Sequence, residues 1–288
     1  MNSSELIKKI RKIEIRTRAI SQQVFSGQYH SAFKGRGMAF SEVREYTYGD
    51  DIRSIDWNVT ARFNHPYIKV FEEERELTVM LLIDTSSSSL FGTQKMLKRD
   101  LIIELAAVLS FSAITNNDKV GVIFFNDKIQ KFIPPKKGKT HILRIISELL
   151  NLKPEPSGTN TSLALQYLTN VIKKKCTAFL ISDFIDTDFE TALRITGKKH
   201  DISAIRICDR GEMFLPSVGL MQIQDLETRQ KRIVDTSNQQ FKKNYTIWWK
   251  QHDGTLKEIF RRTGTDNIQL FTDKDYIPVL MELFKKRR

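Results

Sequence analysis

Thr78-Val-Met-Leu-Leu-Ile-Asp-Thr-Ser-Ser-Ser88 is the stretch from which the fold can be read. Six apolar or β-branched residues run into Asp84, and Thr85, Ser86, Ser87 and Ser88 follow. The run is too short to cross a membrane and has no helical polar stripe, so it is predicted to be a strand buried on both faces of a parallel sheet. In open α/β sheets, ligands bind just outside the carboxyl ends of the strands. Asp84-x-Ser86-x-Ser88 sets a carboxylate and two hydroxyls at such an end, the hard oxygen donors that Mg²⁺ or Mn²⁺ prefers. The same residues equally suit a turn that caps the next helix.

The chain has 288 residues, enough for one large domain with an extension. Its net charge of +12 divides as +2 over residues 1–76, +6 over 77–210 and +4 over 211–288, so the base is spread rather than gathered in one tail. Small clusters at Lys136-Lys137-x-Lys139, Lys173-Lys174-Lys175 and Lys285-Lys286-Arg287-Arg288 could meet an acidic surface, but no nucleic-acid-binding motif accompanies them. Cys176 and Cys208 each lie in or beside an apolar run and are predicted to be buried core residues, not a disulfide or zinc pair. No stretch approaches the length of a membrane span, and residues 1–10 lack an apolar signal core. The expected location is cytoplasmic.

Along the chain, residues 4–24 are predicted to be a basic amphipathic helix with Leu6, Ile10, Ile13, Ile20 and Val24 on its apolar stripe. Such a helix can lie on a membrane or dock on its own protein, and its modest apolar content favours docking. Residues 26–76 are rich in Gly, Arg, Asp, Tyr and Trp. The balance of Arg44, Arg53 and Arg62 against Glu42, Glu45, Asp50, Asp51 and Asp56 favours internal ion pairs over an anion site. Beyond Asp84 the expected order is helix 93–116, strand 119–125, an alternating strand from Lys128 that Pro134-Pro135 ends, helices 140–152 and 162–175, strand 176–183, helix 187–199 and strand 201–207. A polar hairpin over 221–235, a helix over 238–263, a strand over 268–271 and a helix over 276–286 complete it. This order predicts an α/β, doubly wound, mostly parallel sheet flanked by helices. The domain boundary is set at 76/77, with the N-terminal helix and a small β extension in 1–76, and a β-hairpin insertion near 211–237 in the remainder.

Two other loops meet the same sheet edge. Thr159, in Gly158-Thr-Asn-Thr161, precedes a helix, and Asp183 ends a strand as Asp84 does. Parallel strands bring their carboxyl ends together. Asp84, Ser86, Ser88, Thr159 and Asp183 are therefore expected at one point, as metal ligands that leave one coordination position open. The five histidines (His30, His65, His141, His200 and His252) are scattered and none stands at a strand end.

This set resembles the metal-ion-dependent adhesion site of von Willebrand factor A domains, which implies a von Willebrand factor A-like fold and a Mg²⁺ or Mn²⁺ ion that accepts a partner's carboxylate. Gly35-Arg-Gly-Met, Val43-Arg-Glu-Tyr, Gly49-Asp-Asp-Ile-Arg, Ile55-Asp-Trp-Asn and Glu73-Glu-Arg-Glu-Leu are similar to the signature of a bacterial family that pairs such a segment with an A-like domain. Ala39 and Tyr48 depart from that signature, where an acid and a proline are more usual. The resemblance implies a MoxR-type AAA ATPase as partner, with a client protein, in assembly or stress response. It implies binding rather than turnover. Two other classes stand beside it. One is a phosphatase-like, metal-dependent hydrolase using Asp84, against which Ser86 stands where a second acid would be needed. The other is a basic nucleic-acid or membrane-surface binder.

Overall fold

Thr78–Asp84 forms a strand in the computed structural model, which describes residues 3–20, 39–72, 77–93, 96–152, 158–227 and 229–287. Two units are present, one from residues 1–33 and 78–288, the other from residues 34–77. The larger contains α1 (Ser3–Ile20), β3 (Thr78–Asp84), α3 (Lys98–Thr115), β4 (Lys119–Phe125), β5 (Ile129–Lys136), α4 (Lys139–Asn151), α5 (Thr161–Val171) and β6 (Thr177–Ser182). It continues with α6 (Glu190–Lys199), β7 (Asp201–Cys208), α7 (Arg210–Met213), β8 (Leu220–Gln224), β9 (Lys231–Asp235), α8 (Gln239–Thr263), β10 (Asp266–Phe271) and α9 (Ile277–Lys286). The smaller contains β1 (Ala39–Glu45), α2 (Trp57–Phe63) and β2 (Tyr67–Glu72).

The main sheet has the order β10-β7-β6-β3-β4-β5, parallel throughout except for β5, which runs antiparallel to β4. Val79 to Ile83 are fully buried because both faces are covered. On one face Met80 and Leu82 join Ile123, Phe125, Ala178, Leu180 and Ala204 under α5, α6 and α8. On the other, Phe179 meets Phe284 of α9 edge to face, and α3 is buried along nearly its whole length. The predicted doubly wound α/β fold is the observed one.

α1 belongs with this unit and not with the segment that follows it, unlike the sequence boundary at 76/77. It packs on α3 and α4. Ile13 and Thr17 are buried, Arg16 pairs with Glu104 at 2.7 Å and Lys139 pairs with Glu14 at 2.5 Å. The basic helix thus docks on its own protein. Its predicted end at 21–24 lies outside the described residues, as do residues 26–38 and 73–76 of the signature. Arg287, read as part of a basic tail, is folded in beside Asp201 and Asp266.

Several predicted boundaries moved: α5 ends at Val171 rather than at 175, and α6 starts at Glu190 rather than at 187. Two further moves have a visible cause. α3 starts at Lys98 rather than at 93, because the chain closes a loop in which Lys98 N donates to Phe91 O at 2.8 Å. β5 runs through Pro134 and Pro135, which were expected to end it. It is an edge strand, where prolines lacking an N–H are tolerated, and its register against β4 slips between Val120 and Val122. Gly121 lies opposite that irregularity, and a Cβ there would stand 2.9 Å from Pro135 N and 3.0 Å from Ile133 O.

In the smaller unit, β1 and β2 pair antiparallel. Arg44 grips Asp50 with two parallel hydrogen bonds of 2.8 and 2.7 Å, and Thr47 N donates to the same carboxylate at 2.8 Å. Asp56 caps α2 by accepting from Asn58 N and Val59 N. Arg44, Asp50 and Asp56 of the Arg/Asp pattern thus serve internal pairing, as expected from their balance. Cys176 and Cys208 are both buried free thiols. No helix among the described residues is long and apolar enough to cross a membrane.

A Cβ at Gly121 would meet Met80 Sδ first, at 2.7 Å, and then the backbone of Pro135 and Ile133, which cannot swing aside. Gly121→Ala is expected to destabilise the protein by about 1–3 kcal/mol, measured as a lower urea midpoint with an unchanged slope.

Candidate metal centre

Parallel pairing of β3 with β6 sets Ile83 opposite Ile181, so Asp84 and Ser182 end neighbouring strands. Ser182 Oγ donates to Asp84 Oδ2 at 2.6 Å. Asp84 Oδ1 accepts from Ser86 N at 2.9 Å, a local turn that bends the chain off the strand. It leaves Ser86 Oγ and Ser88 Oγ 3.0 Å apart. Ser86 opens a 3₁₀ turn over Ser87–Leu90, but its side chain makes no capping bond there, and α3 is preceded by Leu97. Capping is therefore not what this serine hydroxyl does.

The end of β4 carries the second loop. Thr85 N donates to Phe125 O, and Asn160 N donates to Asn126 O, both at 2.8 Å. Asn160 caps α5 through Leu163 N, and Thr161 N donates to Asp186 Oδ2 at 3.0 Å. Held this way, Thr159 Oγ1 reaches Asp84 Oδ2 at 3.4 Å. Asp183, the residue after β6, accepts from Ile185 N at 3.4 Å and from the Ser88 side chain. All five residues picked from the sequence thus meet in one hydrogen-bonded cluster.

Lys98 completes it. This side chain is 2% exposed, at the first position of α3, and its Nζ donates to Asp183 Oδ2 at 2.9 Å and to Glu212 Oε1 at 2.5 Å. Glu212 arrives on α7, which Asp209 caps through Gly211 N. Burial disfavours the Lys98 ammonium, but Asp183 and Glu212 more than restore it. Burial would raise Asp183, yet the Lys98 charge and the bonds from Ser88 and Lys98 hold its carboxyl below the ordinary range. Among the described residues, no such counter-ion pairs with Asp84. Burial first, and the charge of Asp183 second, push its carboxyl upward. Arg206 donates to the Asp183 backbone carbonyl, at 3.3 Å, and its charge is matched by Asp253.

Among the described residues, Asp84 and Asp183, both buried, and the partly exposed Glu212 outnumber Lys98 by two charges when ionised. Leaving charge buried and unmatched costs several kcal/mol, so a proton or a cation is called for. The donors are all oxygen, carboxylate and hydroxyl, on three loops; this chemistry fits a hard divalent cation. Ser182 stood in the sequence directly before Asp183 and was passed over. Lys98 also left a signal, since a lysine in the first turn of an apolar helix opposes the helix dipole and needs nearby acids. Glu212 left none, because only the folded path of α7 brings it in.

A family model described as "Protein of unknown function DUF58" matches residues 42–255. The uncharacterized protein Mb1516 of Mycobacterium bovis is 27% identical over 293 residues, covering 100% of this chain and 92% of that protein. Among solved structures, the chain is similar to an aerotolerance-related membrane protein from Bacteroides fragilis carrying multiple mutations to serines. The TM-score is 0.52 at 14% identity, over 73% of this chain and 98% of that one. It is also similar to the SpRpn10 VWA domain, with TM-score 0.41 at 12% identity, over 74% of this chain and 95% of that one. The family match spans the small unit from Glu42 onward together with the whole cluster around Asp84, and on that ground the chain belongs to the DUF58 family.

Proposed function

We propose that this chain is a non-enzymatic protein-interaction module that binds an acidic group of a partner through Mg²⁺ or Mn²⁺ held by Asp84, Ser86, Ser88, Thr159 and Asp183. The observation that carries the reading is the pair of buried carboxylates, Asp84 and Asp183, which together with Glu212 outnumber the Lys98 ammonium by two charges when ionised and lie among hydroxyl donors. When bound, the cation supplies a Lewis-acidic position able to take one more oxygen. Ser182 and Ser86 N orient Asp84, and Lys98 orients Asp183. Asp84 is 4% exposed with both oxygens accepting hydrogen bonds, which suits holding a ligand better than attacking a substrate. The N-terminal signature supports a MoxR-type AAA ATPase as partner and a role as its adaptor towards a client protein.

Lys98 favours a second reading. Its ammonium already contacts Asp183, so the site could work as a metal-free cluster with a built-in cation. The two readings differ in what divalent ions do to the protein.

Binding of the chain to a MoxR-type ATPase, followed by calorimetry, is expected to be lost with chelator and with Asp84→Ala, and restored to the wild type by Mg²⁺. Binding that survives both treatments contradicts the metal bridge. Lys98→Met is expected to cost about 3–5 kcal/mol of stability, because it strands Asp183 and Glu212. Millimolar Mg²⁺ should then raise the melting temperature of Lys98→Met more than that of the wild type. No Mg²⁺ shift in either protein favours the lysine reading.

A further inference from the structure

The docking of α1 uses only one of its faces. The helix packs on α3 and α4 and buries Ile13 and Thr17. At 3.6 residues per turn, Ile15 stands on the opposite side. It is 73% exposed, and Ile7, about two turns earlier, is 53% exposed. Arg11, Lys12 and Arg18 are the helical neighbours of Ile15 at three and four residues, and Lys8 stands one turn before Lys12. All four are exposed.

The acids near α1 are turned away from this face or already engaged. Glu14 is held by Lys139 and Glu104 by Arg16, and their side chains are only 15% and 13% exposed. Asp100 of α3 lines a cleft together with Lys8 and Lys12. Against these three acids stand Lys8, Arg11, Lys12, Arg16, Arg18 and Lys139, so positive charge is left over. Among the described residues, Arg11 and Arg18 pair with no acid.

Like charges at this spacing repel one another, and Ile15 among them buries little. One surface relieves both. The phosphates of an anionic bilayer attract the cations, and an apolar side chain set between the cations enters the boundary between headgroups and acyl chains. Duplex nucleic acid would match the cations and leave the isoleucines in water. We propose that the outward face of α1 is a docking surface for an anionic lipid bilayer, with Arg11, Lys12 and Arg18 on headgroup phosphates and Ile15 inserted between them. The inward face stays on α3 and α4, so the contact needs no unfolding of the helix. It makes no use of the cluster around Asp84 and does not depend on a metal there.

The test uses the full chain and sedimentation with vesicles of phosphatidylcholine, with and without phosphatidylglycerol. The wild type is expected to sediment with the phosphatidylglycerol vesicles at low salt, to be released at high salt, and to stay in solution with phosphatidylcholine alone. The double variant Arg11→Gln/Arg18→Gln should bind on the order of thirtyfold more weakly. Ile15→Asn should bind about tenfold more weakly. All these residues are exposed, so unfolding midpoints should equal that of the wild type. Lys174→Gln/Lys175→Gln, which removes two exposed cations elsewhere, should bind as the wild type does. No sedimentation of the wild type with phosphatidylglycerol vesicles at low salt overturns the proposal. So does equal binding by the wild type and the α1 variants. Loss with Arg11→Gln/Arg18→Gln but not with Ile15→Asn, together with release by duplex DNA, shows a general polyanion face and overturns the bilayer as its partner.

Discussion

Two carboxylates that repel each other are buried side by side because β3 and β6 are parallel neighbours. Ile83 opposite Ile181 leaves Asp84 and Asp183 little freedom to separate. Much else at this end of the sheet can be understood as a response to that constraint. Ser182 and Ser86 N hold Asp84, Lys98 neutralises Asp183, and Glu212 shares the same ammonium. A charge buried in this way is tolerated only when it is paired and hydrogen-bonded, and Asp84 is hydrogen-bonded but meets no cation among the described residues.

The surrounding elements fall into place as supports. α3 begins where it does so that its first residue, Lys98, reaches under the strand ends. α7 is only four residues long, yet its cap at Asp209 fixes the helix that presents Glu212. Asp209 is itself fully buried and held by Thr93 and Thr272. Asn126 and Asn160 tie the Thr159 loop to the end of β4.

The sheet was legible because its strands are short apolar runs bounded by turn residues, and that signal needs no knowledge of partners. β3, β4 and β7 appeared close to where periodicity placed them. The inner donors were legible for a related reason: Asp84, Thr159 and Asp183 each follow a strand or precede a helix, and parallel pairing alone brings such ends together. Pro134-Pro135 misled because a proline ends a central strand but not an edge strand, and edge position is a property of the whole sheet. Lys98 showed in the sequence only as a lysine set against the helix dipole, and which acids it meets depends on the loop at Phe91; Glu212 stayed hidden because its role depends on the path after β7.

The account turns on whether the cluster holds a divalent cation. A crystal of the chain soaked in Mn²⁺, with anomalous data collected at the manganese edge, locates the ion without reference to activity or partner. The account predicts one anomalous peak at the sheet edge, within coordination distance of oxygens from Asp84, Ser86, Ser88, Thr159 or Asp183. Absence of a peak there in a well-ordered soaked crystal, with Lys98 still seated on Asp183, would contradict it.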